Sequence, residues 1–196
     1  MIKLGILGSS NGTDLEFIIN AIDSGKLNAE ISVVISNLEK AYILTRAHNC
    51  NIPRYFVSHK DKKREDFDNQ ITDVLKKHSV DLILLIGFMR ILSADFCQEW
   101  YRKILNVHPS LLPKYAGGID KNVHKQVIKN GDSETGCTIH YVNDKIDGGP
   151  ILLQKKCDVY PDDTIDTLKS KVQKLEGEAF IEAIILTQKN SVKKII

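Results

Sequence analysis

The sequence predicts an α/β fold: a mostly parallel twisted sheet with helices on both faces and an antiparallel hairpin near its C-terminal end. Three observations lead there. Strand-like and helix-like segments alternate through the first half of the chain. The run Asp81-Leu-Ile-Leu-Leu-Ile-Gly87 is apolar without alternation, as a central parallel strand covered on both faces must be. Two later strand-like runs, 134–142 and 151–159, flank a turn with Asp144, Asp147 and Gly148-Gly149, the pattern of a hairpin. At 196 residues, 42% hydrophobic and 27% charged, the chain is expected to form one domain, 1–196, with ample material for a core.

The elements follow in order. Ile2 to Leu7 is an apolar strand ending in Gly8-Ser-Ser-Asn-Gly-Thr13. Residues 14–22 have helical spacing, with Leu15, Ile18, Ile19 and Ile22 on one side; Thr13 or Asp14 is expected to cap this helix and Gly25 to end it. Strand, glycine-bearing loop and helix N-terminus together suit an anion, although the glycine spacing is neither the Walker nor the dinucleotide pattern. A second strand runs from Ile31 to Ser36, a helix from Ala41 to Asn49 and a short third strand from Arg54 to Val57. The helix 64–78 carries Phe67, Ile71, Val74 and Leu75 on one side, and Arg64 in its first turn reads as a surface residue. Phe88-Met-Arg-Ile-Leu92 follows the central strand and is either core or a pocket wall. A helix is expected over 122–129, closed by Asn130-Gly131. The last helix begins at an Asp163-Thr164 cap and runs to about Thr187, with a basic tail, 188–196, expected to fray.

The most informative stretch is Ile104-Leu-Asn-Val-His-Pro-Ser-Leu-Leu-Pro113. Asn106 and His108 alternate with Leu105 and Val107, so both project from one side of a short strand. Pro109 and Pro113 stiffen the turn behind it. The carboxyl end of such a strand is where an open α/β sheet binds its ligand. Asp147, in Ile146-Asp-Gly-Gly-Pro150, is the natural third member. An amide, an imidazole and a carboxylate together can stabilise an oxyanion and move a proton. His140 either faces the same pocket or sits on a strand surface.

These two segments resemble the folate-dependent formyltransferases, in which Asn-x-His-Pro-Ser-Leu-Leu-Pro is followed by an Asp-Gly-Pro turn. Gly8–Leu15, Leu85–Leu92 and Gly136–His140 agree in order and spacing, so the resemblance covers nearly the whole chain. It implies a Rossmann-like fold and an enzyme that moves the formyl group of 10-formyltetrahydrofolate, its cosubstrate, to the amino group of glycinamide ribonucleotide in purine synthesis. No metal is implied. By this resemblance Asn106, His108 and Asp147 are catalytic, with Asp147 holding His108 charged. Gly12, Thr13, Asp14, Arg64 and Glu176 bind the ribonucleotide and its phosphate. Leu85, Met89, Arg90, Ile91, Leu92, Val142, Asn143 and Asp144 line the folate pocket. There are departures. Asp14 stands where the family usually has Asn; a carboxylate repels phosphate, so Asp14 is expected to turn away and cap its helix. Gly177 replaces a usual His. The loop from Lys114 to His124 is longer than the family pattern and has Ala116-Gly117 in place of a Pro-Gly pair, which makes it a lid or an insertion.

Relatives of the same scaffold formylate sugar nucleotides or hydrolyse formyltetrahydrofolate, and these are the alternatives; a non-catalytic folate- or nucleotide-binding module is a third. Net charge of +2 does not argue for nucleic acid or membrane as partner. The mixed run Lys60–Glu65 reads as a solvated start of a helix. Four scattered cysteines lack metal-ligand spacing and suggest free thiols. With no signal-peptide pattern, a cytoplasmic enzyme acting on small molecules is expected, and a homodimer stays open.

Overall fold

The computed structural model describes residues 1–192. Strands β1 (Ile2–Leu7), β2 (Ala29–Ser36), β3 (Arg54–Phe56), β4 (Leu82–Leu85), β5 (Ile104–His108), β6 (Glu134–Tyr141) and β7 (Ile151–Asp158) form a 7-stranded sheet in the order β3-β2-β1-β4-β5-β6-β7. The helices are α1 (Thr13–Asp23), α2 (Tyr42–Asn49), α3 (Arg64–Lys77), α4 (Ala94–Glu99), α5 (Asp120–Asn130) and α6 (Ile165–Val192). The pairs β3–β2, β2–β1, β1–β4 and β4–β5 are parallel, whereas β5–β6 and β6–β7 are antiparallel. The expected mostly parallel sheet with an antiparallel end is what forms.

The central strand behaves as its composition requires. Leu82 and Leu84 join one core with Leu4, Ile6, Leu15, Ile18 and Phe180, so α1 and α6 cover that face. Ile83 and Leu85 join the opposite core with Phe67, Ile71, Leu75, Phe96 and Trp100, supplied by α3 and α4. Burial on both faces removes any reason for polar alternation. The ladder closes earlier than the sequence predicts: Ile86 N–H still donates to Leu7 O at 2.9 Å, but Gly87 then turns at φ +57°.

Other differences have local causes. α4 is not among the predicted elements; 6 residues are too few to show a helical period, and Ser93 starts it by accepting from Phe96 N–H at 3.2 Å. α5 begins at Asp120, ahead of the expected start at Asn122, and ends as predicted on Gly131 at φ +66°. Thr164 Oγ1 caps α6 by accepting from Thr167 N–H at 3.2 Å. α6 runs on to Val192, so the expected tail is helical up to there; residues 193–196 lie outside the described residues. All four cysteines are free thiols. Among the described residues, no helix is long and apolar enough to cross a membrane.

At the antiparallel end, Gly136 lies opposite Lys156, and a Cβ there would fall onto the Lys155 carbonyl of β7. Gly136→Ala should therefore destabilise the protein by about 1–3 kcal/mol, the usual cost of forced overpacking. A urea titration reads this as a lower midpoint at unchanged slope; an unchanged midpoint would contradict the close β6–β7 approach.

Candidate active site

The strand order reverses at β1, whose neighbours are β2 and β4, and ligands in open α/β sheets lodge at the carboxyl ends beside such a switch. Here the loops leaving β1 and β4 are joined, Ser9 N–H donating to Gly87 O at 3.1 Å and Met89 N–H to Ser9 Oγ at 2.8 Å. A cleft of about 500 Å³ opens over this point. One end is walled by Gly12, Thr13, Asp14 and Glu176, the other by Leu85 to Leu92 and Val142 to Asp144, with Asn106, His108 and Asp147 among its lining.

β5 presents Asn106 and His108 on one face, as their alternation predicts. Its antiparallel register with β6 sets Asn106 opposite His140 and His108 opposite Thr138. His140 thus joins the cluster, resolving the two readings of its strand. Its Nδ1 lies 3.0 Å from Tyr141 O and its Nε2 3.1 Å from Asn106 Nδ2. With Nδ1–H donating to the carbonyl, Nε2 accepts from the amide, which orients Asn106 and leaves its second N–H to point elsewhere.

The turn behind β5 is pinned by Thr138. Its hydroxyl donates to Ser110 O at 2.7 Å and accepts from Leu112 N–H at 3.0 Å and Gln154 Nε2 at 2.8 Å. The loop then passes over the cluster. Tyr115 O lies 3.0 Å from His108 Nε2, and Gly117 N–H donates to Asp147 Oδ2 at 2.7 Å. Backbone groups carry both contacts, so no side-chain pattern announced them.

Asp147 sits at φ +50°, a left-handed conformation that Asp adopts more readily than most residues but still at a cost. That backbone aims its carboxylate at both imidazoles: Oδ2 is 3.2 Å from His108 Nδ1 and Oδ1 is 3.5 Å from His140 Nε2. Burial pushes this carboxyl up, but the His140 contact, the Gly117 N–H and the neighbouring His108 outweigh it, holding Asp147 below its ordinary range. His108 differs from expectation. Only 3% exposed, it loses more to burial than Asp147 and the Tyr115 carbonyl return, and its pKa is pushed down. Asp147 is therefore the standing charge of the pair, and the resting imidazole is mainly neutral at neutral pH rather than held charged.

Gly12, at φ +67°, opens α1, and a Cβ there would strike Ile43. No side chain caps α1, contrary to the expected role of Thr13 or Asp14, because the glycine makes the turn and Thr13 already lies inside the helix. Asp14 does not turn away: it is 6% exposed and lines the cleft. Glu176, 8% exposed, faces the same end from α6. Arg64 is not brought there. It is exposed at the start of α3 and outside the cleft lining, and its charge acts on Asp68, as does that of Arg90. The other residues expected at the folate end all line the cleft, and Met89 and Ile91 are 53% and 51% exposed, apolar surface that a flat ring can cover.

Sequence reasoning missed Lys169 and Gln173, which line the cleft beside Glu176. Their spacing of i, i+4 and i+7 on α6 was the available signal, masked by the apolar stripe that runs beside it. Among the described residues, no group of three or more His, Cys, Asp or Glu side chains is placed to hold a metal ion.

The depressed imidazole has a consequence for stability. The unfolded chain binds a proton at His108 more readily than the folded one, so this contribution is complete above the ordinary value of 6.5 and is lost as pH falls below it. Melting temperature should drop between pH 7 and pH 5, and His108→Gln should flatten that slope; an unchanged slope in the variant would place the titration elsewhere.

Comparison with known proteins agrees with this geometry. The formyl transferase family model matches residues 2–184. A phosphoribosylglycinamide formyltransferase of Haemophilus influenzae is 42% identical over 92% of this chain and 84% of its own. The trifunctional purine biosynthetic protein adenosine-3 of Gallus gallus is 40% identical over 98% of this chain, which spans 19% of that longer protein. In three dimensions, glycinamide ribonucleotide transformylase 1 from Symbiobacterium toebii superposes with a TM-score of 0.91 and 32% identity, covering 97% of this chain and 89% of that one. With a family match across most of its length and an Asn-x-His strand set against an Asp-Gly turn, this chain belongs to the formyl transferase family.

Proposed function

We propose that the protein is a phosphoribosylglycinamide formyltransferase, carrying the formyl group of 10-formyltetrahydrofolate to the amino group of glycinamide ribonucleotide in de novo purine synthesis. The observation that carries this reading is the position of Asn106, His108 and Asp147 in one cleft between an anion-suited loop and an apolar wall. A phosphate suits the amide-rich N-terminus of α1 at one end, and a pteridine the exposed apolar surface of Met89 and Ile91 at the other. Gln173 and Glu176 lie where they can meet the ribonucleotide. A cytoplasmic setting belongs to the same proposal, and a homodimer is an assembly it allows.

In the reaction the ribonucleotide amine attacks the formyl carbon. A C–N bond forms and the carbonyl electron pair moves onto oxygen. The free N–H of the Asn106 amide donates to that oxyanion. His108 starts mainly neutral, and a negative charge developing beside it offsets the cost of burying an imidazolium. It can therefore take up the proton lost by the amine, with Asp147 steadying the cation, and pass it on. The intermediate collapses as the bond from carbon to the folate N10 breaks, and N10 keeps that electron pair and receives the proton. The Tyr115 carbonyl now faces His108 Nε2, so the loop over the cluster must shift for this nitrogen to serve the substrate.

Asp147→Asn and His108→Ala should each lower kcat by about 10²–10³-fold while keeping a cooperative unfolding transition. Formyl transfer is followed spectrophotometrically with glycinamide ribonucleotide, with a 4-amino-sugar nucleotide and without acceptor. Turnover confined to the ribonucleotide supports the proposal; folate consumption without acceptor, or near-normal rates in either variant, overturns it.

A further inference from the structure

Three strands end around the switch point, and a buried polar pair ties their ends together. β2 stops at Ser36, whose hydroxyl accepts from Leu38 N–H at 3.1 Å and so fixes the turn that carries Asn37. Asn37 Oδ1 accepts from the Ser9 hydroxyl, just past the end of β1, at 2.6 Å. The Ser9 oxygen in turn accepts from Met89 N–H at 2.8 Å, in the segment that leaves β4. Asn37 is held from its other side as well, with Nδ2 3.3 Å from His59 Nδ1. Ser9 and Asn37 are both buried, yet neither lines the cleft. Both line a neighbouring crevice, together with Tyr42, Phe56 and His59.

The segment they hold is the apolar wall of the cleft. Phe88 packs against the core on the α3 side and Leu92 is buried in it. Between them, Met89 and Ile91 keep about half their surface exposed, so burial of their own side chains cannot fix where the wall stands. Backbone hydrogen bonds do this instead. At the far end Ser93 N–H donates to the buried Asp68 Oδ2 at 2.6 Å, and at the near end Met89 N–H donates to Ser9. A serine hydroxyl has one proton and three staggered positions to choose from. Giving that proton to Asn37 selects one position, and it is the one in which the oxygen receives Met89 N–H. A chain of hydrogen bonds with one direction thus runs from the end of β2, across β1, to the wall.

We propose that Asn37 and Ser9 are positioning residues for the cosubstrate: Asn37 fixes the Ser9 hydroxyl, and the hydroxyl fixes the Met89 peptide and with it the wall on which the pteridine lies. The proposal rests on the formyltetrahydrofolate reading above and extends it to residues that do not line the cleft. It accounts for a polar pair buried at the meeting point of three strands, where two apolar side chains would satisfy packing but would leave the Met89 N–H without its acceptor.

The test is steady-state kinetics of the full chain with 10-formyltetrahydrofolate and glycinamide ribonucleotide, beside thermal unfolding. Ser9→Ala should raise KM for formyltetrahydrofolate by about 5- to 50-fold, the range expected when a donor loses its acceptor, with KM for the ribonucleotide unchanged. Asn37→Leu should give part of the same rise. The double variant should lose no more than Ser9→Ala alone, because Asn37 acts through Ser9. Asn37→Asp keeps an acceptor for the hydroxyl and should restore the cosubstrate KM. A pair that merely supports the fold would lower the melting temperature and leave the ratio of the two KM values untouched. An unchanged cosubstrate KM in Ser9→Ala, an equal rise for both substrates, additive losses in the double variant, an Asn37→Asp protein as impaired as Asn37→Leu, or loss of cooperative unfolding in the single variants each overturns the proposal while leaving the functional reading intact. A wild-type protein that does not formylate the ribonucleotide overturns the functional reading and this extension with it.

Discussion

The candidate site depends on where one carboxylate can be put. Asp147 stands between two imidazoles and accepts from a backbone N–H, at a backbone angle most residues avoid. Gly149, two residues on, passes so close to the Tyr141 carbonyl that a Cβ would collide with it, and Tyr141 N–H donates to Pro150 O at 2.9 Å. The turn is thereby clamped to β6. β6 in turn takes its register from β5, so the carboxylate and the two side chains it serves are set by one ladder.

That ladder is anchored in the parallel part of the sheet. β4 is buried on both faces, and β5 pairs with it through Leu85 and Asn106. A one-residue slip in β5 would turn Asn106 and His108 away and bring Leu105 toward the cleft. The apolar face of β5 is what forbids this, because Leu105 is fully buried in the core beneath α1 and α6. Hydrophobic burial, which has no direction of its own, here sets the direction of three polar groups.

Electrostatics divide the cleft into regions with different logic. In the middle, hydrogen bonding and the neighbouring imidazoles keep Asp147 ionised against the cost of burial, while burial lowers the proton affinity of His108. At the α1 end, buried Asp14 and Glu176 line the cleft beside the N-terminal N–H groups of the helix. At the other end, exposed Met89 and Ile91 form an apolar wall, and buried Asp68 faces the positive charges of Arg64 and Arg90. Arg64 belongs to this side of the sheet because α3 packs on the face opposite α1 and α6.

Much of this was written in the order of residues. The unbroken apolar run at 81–87 demanded a strand covered on both faces, and the alternation of Asn106 with Leu105 and Val107 placed the polar pair on one side. Local chemistry sufficed there, because strand periodicity and burial act over a few neighbours. Tertiary structure alone decided the rest. It brought His140 to Asn106 through a register, placed Lys169 and Gln173 in the same cleft as Asp14 through the packing of α6 on α1, and left Arg64 outside the cleft. It also made His108 mainly neutral, a result of desolvation by groups distant in the chain. Charge, reach and proton affinity depend on what surrounds a side chain, and that surrounding exists only once the strands and helices have packed.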